Sequence, residues 1–414
     1  MKAVFAVFFT QSPSFLAHQK AVKQSKGRSN AATVFQMQKI PCDEHIRQML
    51  DPVPPARFYG EFHTVFQHIH EQGQLQAYEV LAGHHILITL DGTEYFNSYE
   101  IECEHCLHRK RNNGQIQNYH AAILPVVVAP NNPHVLALPP EYIMPQDGQE
   151  KQDCERAASK RWVAQHGRHY AGLNAILLGD ELYANQPLCQ HILDHDLHFL
   201  FGCKPDSHAV LYQWVDMFTA AGKVDTFSIR KWNGKHSERW TYRFLNDIPL
   251  RGGEDALLVN WCELHITHLD TDESLYHNAW VTDIAITERN VTELVACGRA
   301  RWKVENENNN VLKTKGYHLE DNFGHGDGCL SFQESGPSGL GLLQEPRWLH
   351  LGFVQHSGSV AWSTGQETSL IPAPRILAAL IVPSAKVDCP GLPFLALRAG
   401  DLPGSCRRRA RSTG

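Results

Sequence analysis

The sequence has no late apolar run long enough to span a bilayer. The longest after the opening residues, 376–382, is closed off by Arg375 and Pro383, whereas a spanning helix needs about 20 residues. It has neither a G-x-S-x-G elbow nor a G-x4-G-K-[ST] loop, so serine-hydrolase and P-loop readings lack their nucleophile and their phosphate cradle. No charge sign dominates: the formal net charge of −6 is spread over many acids and bases, and no global polycation advertises a nucleic acid. The 11 cysteines, odd in number and unevenly spaced from Cys42 to Cys406, do not make a secreted disulfide framework. Residues 1–9 have the apolar character of a signal-peptide core, but Gln11, Ser12 and Pro13 follow without a small-x-small cleavage site. A cytoplasmic protein with no membrane partner is therefore expected. There is no internal repeat.

What is there is globular: 414 residues, 43% hydrophobic and 20% charged, enough for two or three domains. Residues 1–80 read as helices over 15–26, 42–50 and 58–71, the last after Pro52-Val53-Pro54-Pro55. From Val80 the pattern changes to strands at 86–91, 120–129 and 134–138, then a helix over 150–166. A strand at 174–180, a helix over 186–195 and a strand at 198–203 follow. That order suits an α/β fold with a mixed sheet. Residues 205–286 read as a β-rich insertion, and a helix capped by Thr287 or Asn290 runs over 291–315.

Asp91 and Asp180 each end an apolar strand, in Asp91-Gly92-Thr93 and Leu178-Gly179-Asp180. Two acids at neighbouring strand ends can share a divalent cation, and a third from a helix would complete a two-metal site. Glu305 is the best third acid, with Glu307 as the alternative. Arg301, Glu305, Asn309 and Lys313 step along one helix face at four-residue intervals. An isolated acid of this kind is more often a solvated strand end or a salt-bridge partner.

These residues bring the chain close to a known family. Asp91-Gly92-Thr93-Glu94-Tyr95-Phe96, Pro145-Gln146-Asp147-Gly148, the residues 150–154 (EKQDC), Leu178-Gly179-Asp180, Cys203-Lys204-Pro205 and the run 298–326 together resemble the DDE transposases of bacterial insertion sequences. The likeness is nearest to the group called ISNCY, in the branch with a β-rich insertion between the second Asp and the Glu. The resemblance implies a ribonuclease-H-like catalytic core over 81–204 and 287–326, interrupted by the insertion 205–286. A shortened helical front end, 1–80, precedes it. It makes Asp91, Asp180 and Glu305 the ligands of Mg²⁺ or Mn²⁺, and Arg301, Lys204 and Lys313 the holders of DNA. Its partners would be terminal-repeat and target DNA, with a DNA-induced homodimer and a nucleoid-associated location. Related transposases carry Tyr-x2-Arg-x3-Glu-x6-Lys around the Glu; here Gly298 stands at the Tyr position and Lys313 lies one residue late. Trp302 and Trp261 offer faces to an unpaired base, core packing being the alternative. Arg230, Lys231, Lys235 and Arg239 are the insertion's candidate DNA contacts, or simply a solvated hairpin surface.

Cys103-Glu104-His105-Cys106 is half a structural zinc site, for which His108, His120 and Cys154 are the candidate further ligands. Arg109-Lys110-Arg111 beside it suits a phosphate backbone or an ordinary solvated turn. His191 and His195 have i,i+4 spacing but lack the zincin glutamate. Over 327–414, Gly, Pro and Ser reach roughly a third and only Lys386 remains of the lysines. An irregular tail is expected there, either flexible or the product of a frame change. Such a back end also motivates the alternative reading, a catalytically impaired remnant that at most binds DNA or metal.

Overall fold

The computed structural model describes residues 10–24, 41–50, 53–103, 105–148 and 151–321, with Ala3, Ala6, Val7 and Met37, and two short strands further on. Three helices open the chain: α1 (Phe15–Gln24), α2 (Asp43–Leu50) and α3 (Ala56–Glu71). α3 starts where the proline-rich segment can no longer deny backbone donors, and buries Phe58, Phe62, Val65 and Phe66 along one stripe. Then come β1 (Glu79–Val80), β2 (His85–Thr89), β3 (Gly92–Ser98), β4 (Leu107–Lys110), β5 (Ile116–Ile123), β6 (Val126–Ala129), β7 (Asn132–Ala137) and β8 (Glu141–Ile143). α4 (Lys151–His166), β9 (Ile176–Gly179), α5 (Gln186–Leu193), β10 (His198–Gly202) and α6 (Ala209–Ala220) follow. Four long strands come next, β11 (Asp225–Trp232), β12 (Ser237–Pro249), β13 (Leu258–His268) and β14 (Ser274–Thr282). α7 (Val291–Arg299), a wide π-helical turn (Val304–Asn309) and α8 (Asn310–Thr314) complete this region. β15 (Ala361–Thr364) and β16 (Glu367–Leu370) pair antiparallel with each other.

The fold is α/β with a mixed sheet in the order β11-β12-β13-β14-β10-β9-β2-β6-β7, β1 adding to β2. β2 pairs antiparallel with β6 and β6 with β7, whereas β2–β9 and β9–β10 are parallel. The β-rich segment is not a separate layer, because β14 hydrogen-bonds β10 directly. One face of the sheet buries Phe66, Trp162, Leu188 and Leu211 from α3 to α6, and the other buries Val291, Leu294 and Val295 of α7. Near-continuous apolar strands such as Val126–Ala129 are what burial on both faces requires. No helix among the described residues is long and apolar enough to cross a membrane.

Four expectations change. The strand expected over 120–129 is two strands in two sheets, because Pro125 has no N–H to donate and the chain turns there. Residues 92–123, not foreseen as a unit, form a small sheet β3-β5-β4 with β8 on β5. Helix α6, read as part of a β-rich segment, packs Leu211 and Val215 into the core. The helix expected over 291–315 is broken after Arg299 and widened over Val304–Asn309. The irregular tail expected over 327–414 lies outside the described residues apart from β15 and β16.

Candidate active site

Parallel pairing sets Thr89 opposite Leu178, and Leu90 donates its N–H to the Leu178 carbonyl at 2.8 Å. Asp91 and Asp180 each lie two residues beyond those partners, so they leave adjacent strand ends at one level. They also continue the rows Leu87–Thr89 and Ile176–Leu178, of which Leu87, Ile176 and Leu178 face the α7 side of the sheet. From that side comes Arg301. Its guanidinium lies 3.7 Å from Asp91 Oδ1 and 2.8 Å from Glu305 Oε1. Asn309 Nδ2 donates to Asp91 Oδ2 at 3.3 Å. The sequence-expected acids Asp91, Asp180 and Glu305 thus share one electrostatic environment. Glu307 instead acts on Lys303, whose Nζ donates to the Asn132 carbonyl at 2.7 Å.

A fourth acid stands here that the sequence did not single out. Glu155 of α4 is buried at 4% exposure and packs against Gly92, where an added Cβ would fall 2.7 Å from its Oε1. A glycine directly after Asp91 is the one clue to so close an approach. The Asp91 carboxyl is raised to about 7, chiefly by burial, with Arg301 pulling it down and Glu305, Glu155 and Asp180 adding to the rise. Burial also raises Asp180, partly offset by the Leu182 N–H that its Oδ1 accepts at 2.9 Å. For Arg301 burial opposes the charge, but Glu305, Asp91 and Asp180 outweigh it and raise the pKa. The half-buried Asp91 and Asp180, the buried Glu155 and the exposed Glu305 repel one another against the charges of Arg301 and Lys204, and form a set of hard oxygen donors that a divalent ion would relieve.

Beside these acids a cleft of about 450 Å³ opens between the ends of β9 and β10, β14 and α7. Asp180, Lys204, Arg299, Arg301 and Trp302 line it. Lys204 reaches it while paired to Glu181 at 2.6 Å. Trp302 is 46% exposed there, whereas Trp261 is fully buried and belongs to the core, so the stacking role expected of it does not hold. Lys313 does not line the cleft; it pairs with Glu320 at 2.9 Å. At Gly298 and Lys313, where the resemblance to Tyr-x2-Arg-x3-Glu-x6-Lys is imperfect, the local structure differs from a regular helix with room for a ring. A side chain at Gly298 would meet the Trp280 indole, Nε1 lying 2.6 Å from the added Cβ, so a tyrosine does not fit. The π turn takes about one residue more than an α turn, so the step from Glu305 to Lys313 spans what a step one shorter would in a regular helix.

The motif Pro145-Gln146-Asp147-Gly148 is a staple. Asp147 Oδ2 accepts the Met144 N–H at 2.7 Å, and Arg161 of α4 clasps Asp147 and Glu141 together. Arg109 is held by Glu94 and lies over Tyr119, leaving Lys110 and Arg111 as the exposed bases of its run. Of the cations expected to face DNA, Lys235 lies in the turn between β11 and β12, and the others divide between two faces. Arg230 stands opposite Arg239, which pairs with Asp272 at 3.1 Å. Lys231 sits 3.7 Å over the Trp240 ring, which Arg299 also approaches.

Cys103, Cys106 and His120 converge closely enough to hold a metal ion. His108 and Cys154, the other expected ligands, are engaged elsewhere: His108 with Asn118 at 2.9 Å, Cys154 with the Gly148 carbonyl. His191 and His195 form no metal pair; they bond the carbonyls of Lys160 and His191. No protein-family model matches the chain, and no curated protein matches it at a significant level.

Proposed function

We propose that this chain is a DDE-type DNA transposase, which hydrolyses a phosphodiester at the ends of an insertion sequence and joins the freed 3′-hydroxyl to target DNA. The observation that carries the reading is the single guanidinium of Arg301 set against both Asp91 and Glu305, at strand ends that also bring Asp180 alongside. The strand order β7-β6-β2-β9-β10, antiparallel across the first three and parallel across the last, supports a ribonuclease-H-like core. Three carboxylates suit Mg²⁺ or Mn²⁺, which when bound would activate the attacking oxygen and stabilise the leaving one in an in-line displacement.

The chain's own residues do the rest. Asp91, Asp180 and Glu305 hold the charge-bearing oxygens, and Arg301 and Lys204 neutralise phosphate oxygens entering the cleft, a role that makes affinity fall steeply with salt. Trp302 offers its exposed face to an unpaired base. Element ends processed in pairs call for a DNA-induced homodimer.

The remnant reading has one observation in its favour: Arg301 already occupies the space between Asp91 and Glu305 that a cation would neutralise. A strand-cleavage assay on element-end DNA with Mg²⁺ or Mn²⁺ separates the two. Cleavage that is lost in Asp180→Asn supports the transposase. DNA binding without cleavage under any metal condition supports the remnant, and absence of both cleavage and DNA binding defeats both.

A further inference from the structure

We propose that Cys103, Cys106 and His120 bind one zinc ion that pins the loop between β3 and β4 onto β5. This site stands apart from the carboxylates and does not depend on the transposase reading. Its three donor atoms are almost equidistant: Cys103 Sγ to Cys106 Sγ is 3.6 Å, Cys103 Sγ to His120 Nε2 is 3.4 Å, and Cys106 Sγ to His120 Nε2 is 3.5 Å. Tetrahedral zinc with bonds of about 2.3 Å to sulfur and 2.05 Å to nitrogen needs donor separations of about 3.8 Å for S···S and 3.6 Å for S···N. The triangle on hand is one face of such a tetrahedron.

The surroundings favour the same ion. Cys106 N–H bonds back to the Cys103 carbonyl at 3.0 Å, and the Cys103 N–H points at Cys106 Sγ at 3.3 Å, so a tight turn aims both sulfurs to one side. His120 comes from a different strand, β5, where the register shift between Glu94 and Phe96 falls opposite it. It is held between Tyr95 and Phe96, at ring-centroid distances of 5.9 and 5.6 Å. Cys106 and His120 are buried and Cys103 is half-buried. Two soft thiolates and an imidazole select zinc over magnesium, which separates this site from the all-oxygen set around Asp91. Loading releases the two thiol protons to solvent and changes no oxidation state.

The test uses the full chain, purified under reducing conditions. Elemental analysis should find one zinc per chain. Cobalt(II) added to the chelator-treated protein should give thiolate-to-metal charge transfer and the strong visible bands of a tetrahedral ion. Cys103→Ser, at the half-buried position, and His120→Ala should each reduce bound zinc and cobalt absorbance at least tenfold. Cys42→Ser, at an exposed cysteine outside the triangle, should leave both unchanged. A Cys103–Cys106 disulfide in the reduced preparation, cobalt binding without a charge-transfer band, or zinc retained in Cys103→Ser would each overturn the proposal. Those outcomes would leave the cleavage assay free to succeed or fail by itself.

Discussion

Asp91 is held at a cost that the surrounding residues make measurable. Its folded pKa of about 7 lies above the ordinary 3.8, so between those values the native state binds more protons than the unfolded chain and stability falls as pH rises. Asp91→Asn removes that penalty. At about pH 8 it should raise stability by about 1–3 kcal/mol, less than the roughly 4 that about three pKa units at about 1.4 each would give because its contacts to Arg301 and Asn309 weaken too, while at about pH 4 the gain should vanish. Thermal melts at the two pH values check this, and a lower melting temperature for the variant at the higher pH would contradict it. Mg²⁺ should raise the melting temperature of the native chain at the higher pH and have much less effect on the variant. Asp91, Asp180 and Arg301 were legible in the sequence because strand ends and helical spacing are local signals. Glu155 was not, since nothing within α4 tells which of its acids will press on a glycine some sixty positions upstream. Gly298 was visible as a departure from the signature, but its cause, Trp280, lies on a neighbouring strand.

Among the elements, α3 and the end of α4 meet through imidazoles. His63 Nε2 lies 3.1 Å from His166 Nδ1, and His63 stacks on His169 with ring centroids 3.8 Å apart. Burial lowers His63 to about 4 and His166 to about 3, with His169 and Arg168 adding to both shifts and His63 to that of His166. Both values lie below the ordinary 6.5, so the unfolded chain binds more protons in that window and stability is lost as pH falls through it. Hydrogen exchange at about pH 5 should show α3 losing protection well before β2 and β9, whereas near pH 7 the difference narrows. His166→Leu should flatten that acid dependence, and equal loss in helix and strands would rule the junction out as its origin. Elements were read well where the code is local, as for α3 after its prolines. They were misread where one pattern serves two structures: 291–315 has unbroken helical spacing, yet the chain breaks at Ala300 and widens over Val304–Asn309 so that Asn309 reaches Asp91. The β4–β5 hairpin had a signal that went unused, Asn112-Asn113-Gly114, with Gly114 at φ +82°.

For the whole molecule, the two-faced distribution of cations on β11 and β12 gives a contrast that an unstructured basic surface would not. Lys231 shares Trp240 with the cleft-lining Arg299, while Arg230 faces the other side with Arg239 and Asp272. If DNA follows the cleft, Lys231→Gln should lower the salt slope of binding by about 1 and Arg230→Gln should change it much less. Equal effects in a salt titration would remove β11 from the interface.

The hydrogen-bonded path from Asp180 to that cleft's far wall has a mechanical meaning. β9 bonds β10, β10 bonds β14, and β14 bonds β13, with no linker between them. The strand-built floor of the cleft is therefore one elastic plate whose shape is set by sheet twist rather than by a hinge, with α7 as the facing wall. If DNA enters the cleft as proposed above, a duplex would meet a floor that does not open. Under that proposal the deformation would fall on the nucleic acid at this floor, and sequences that bend or unstack easily would be the better substrates.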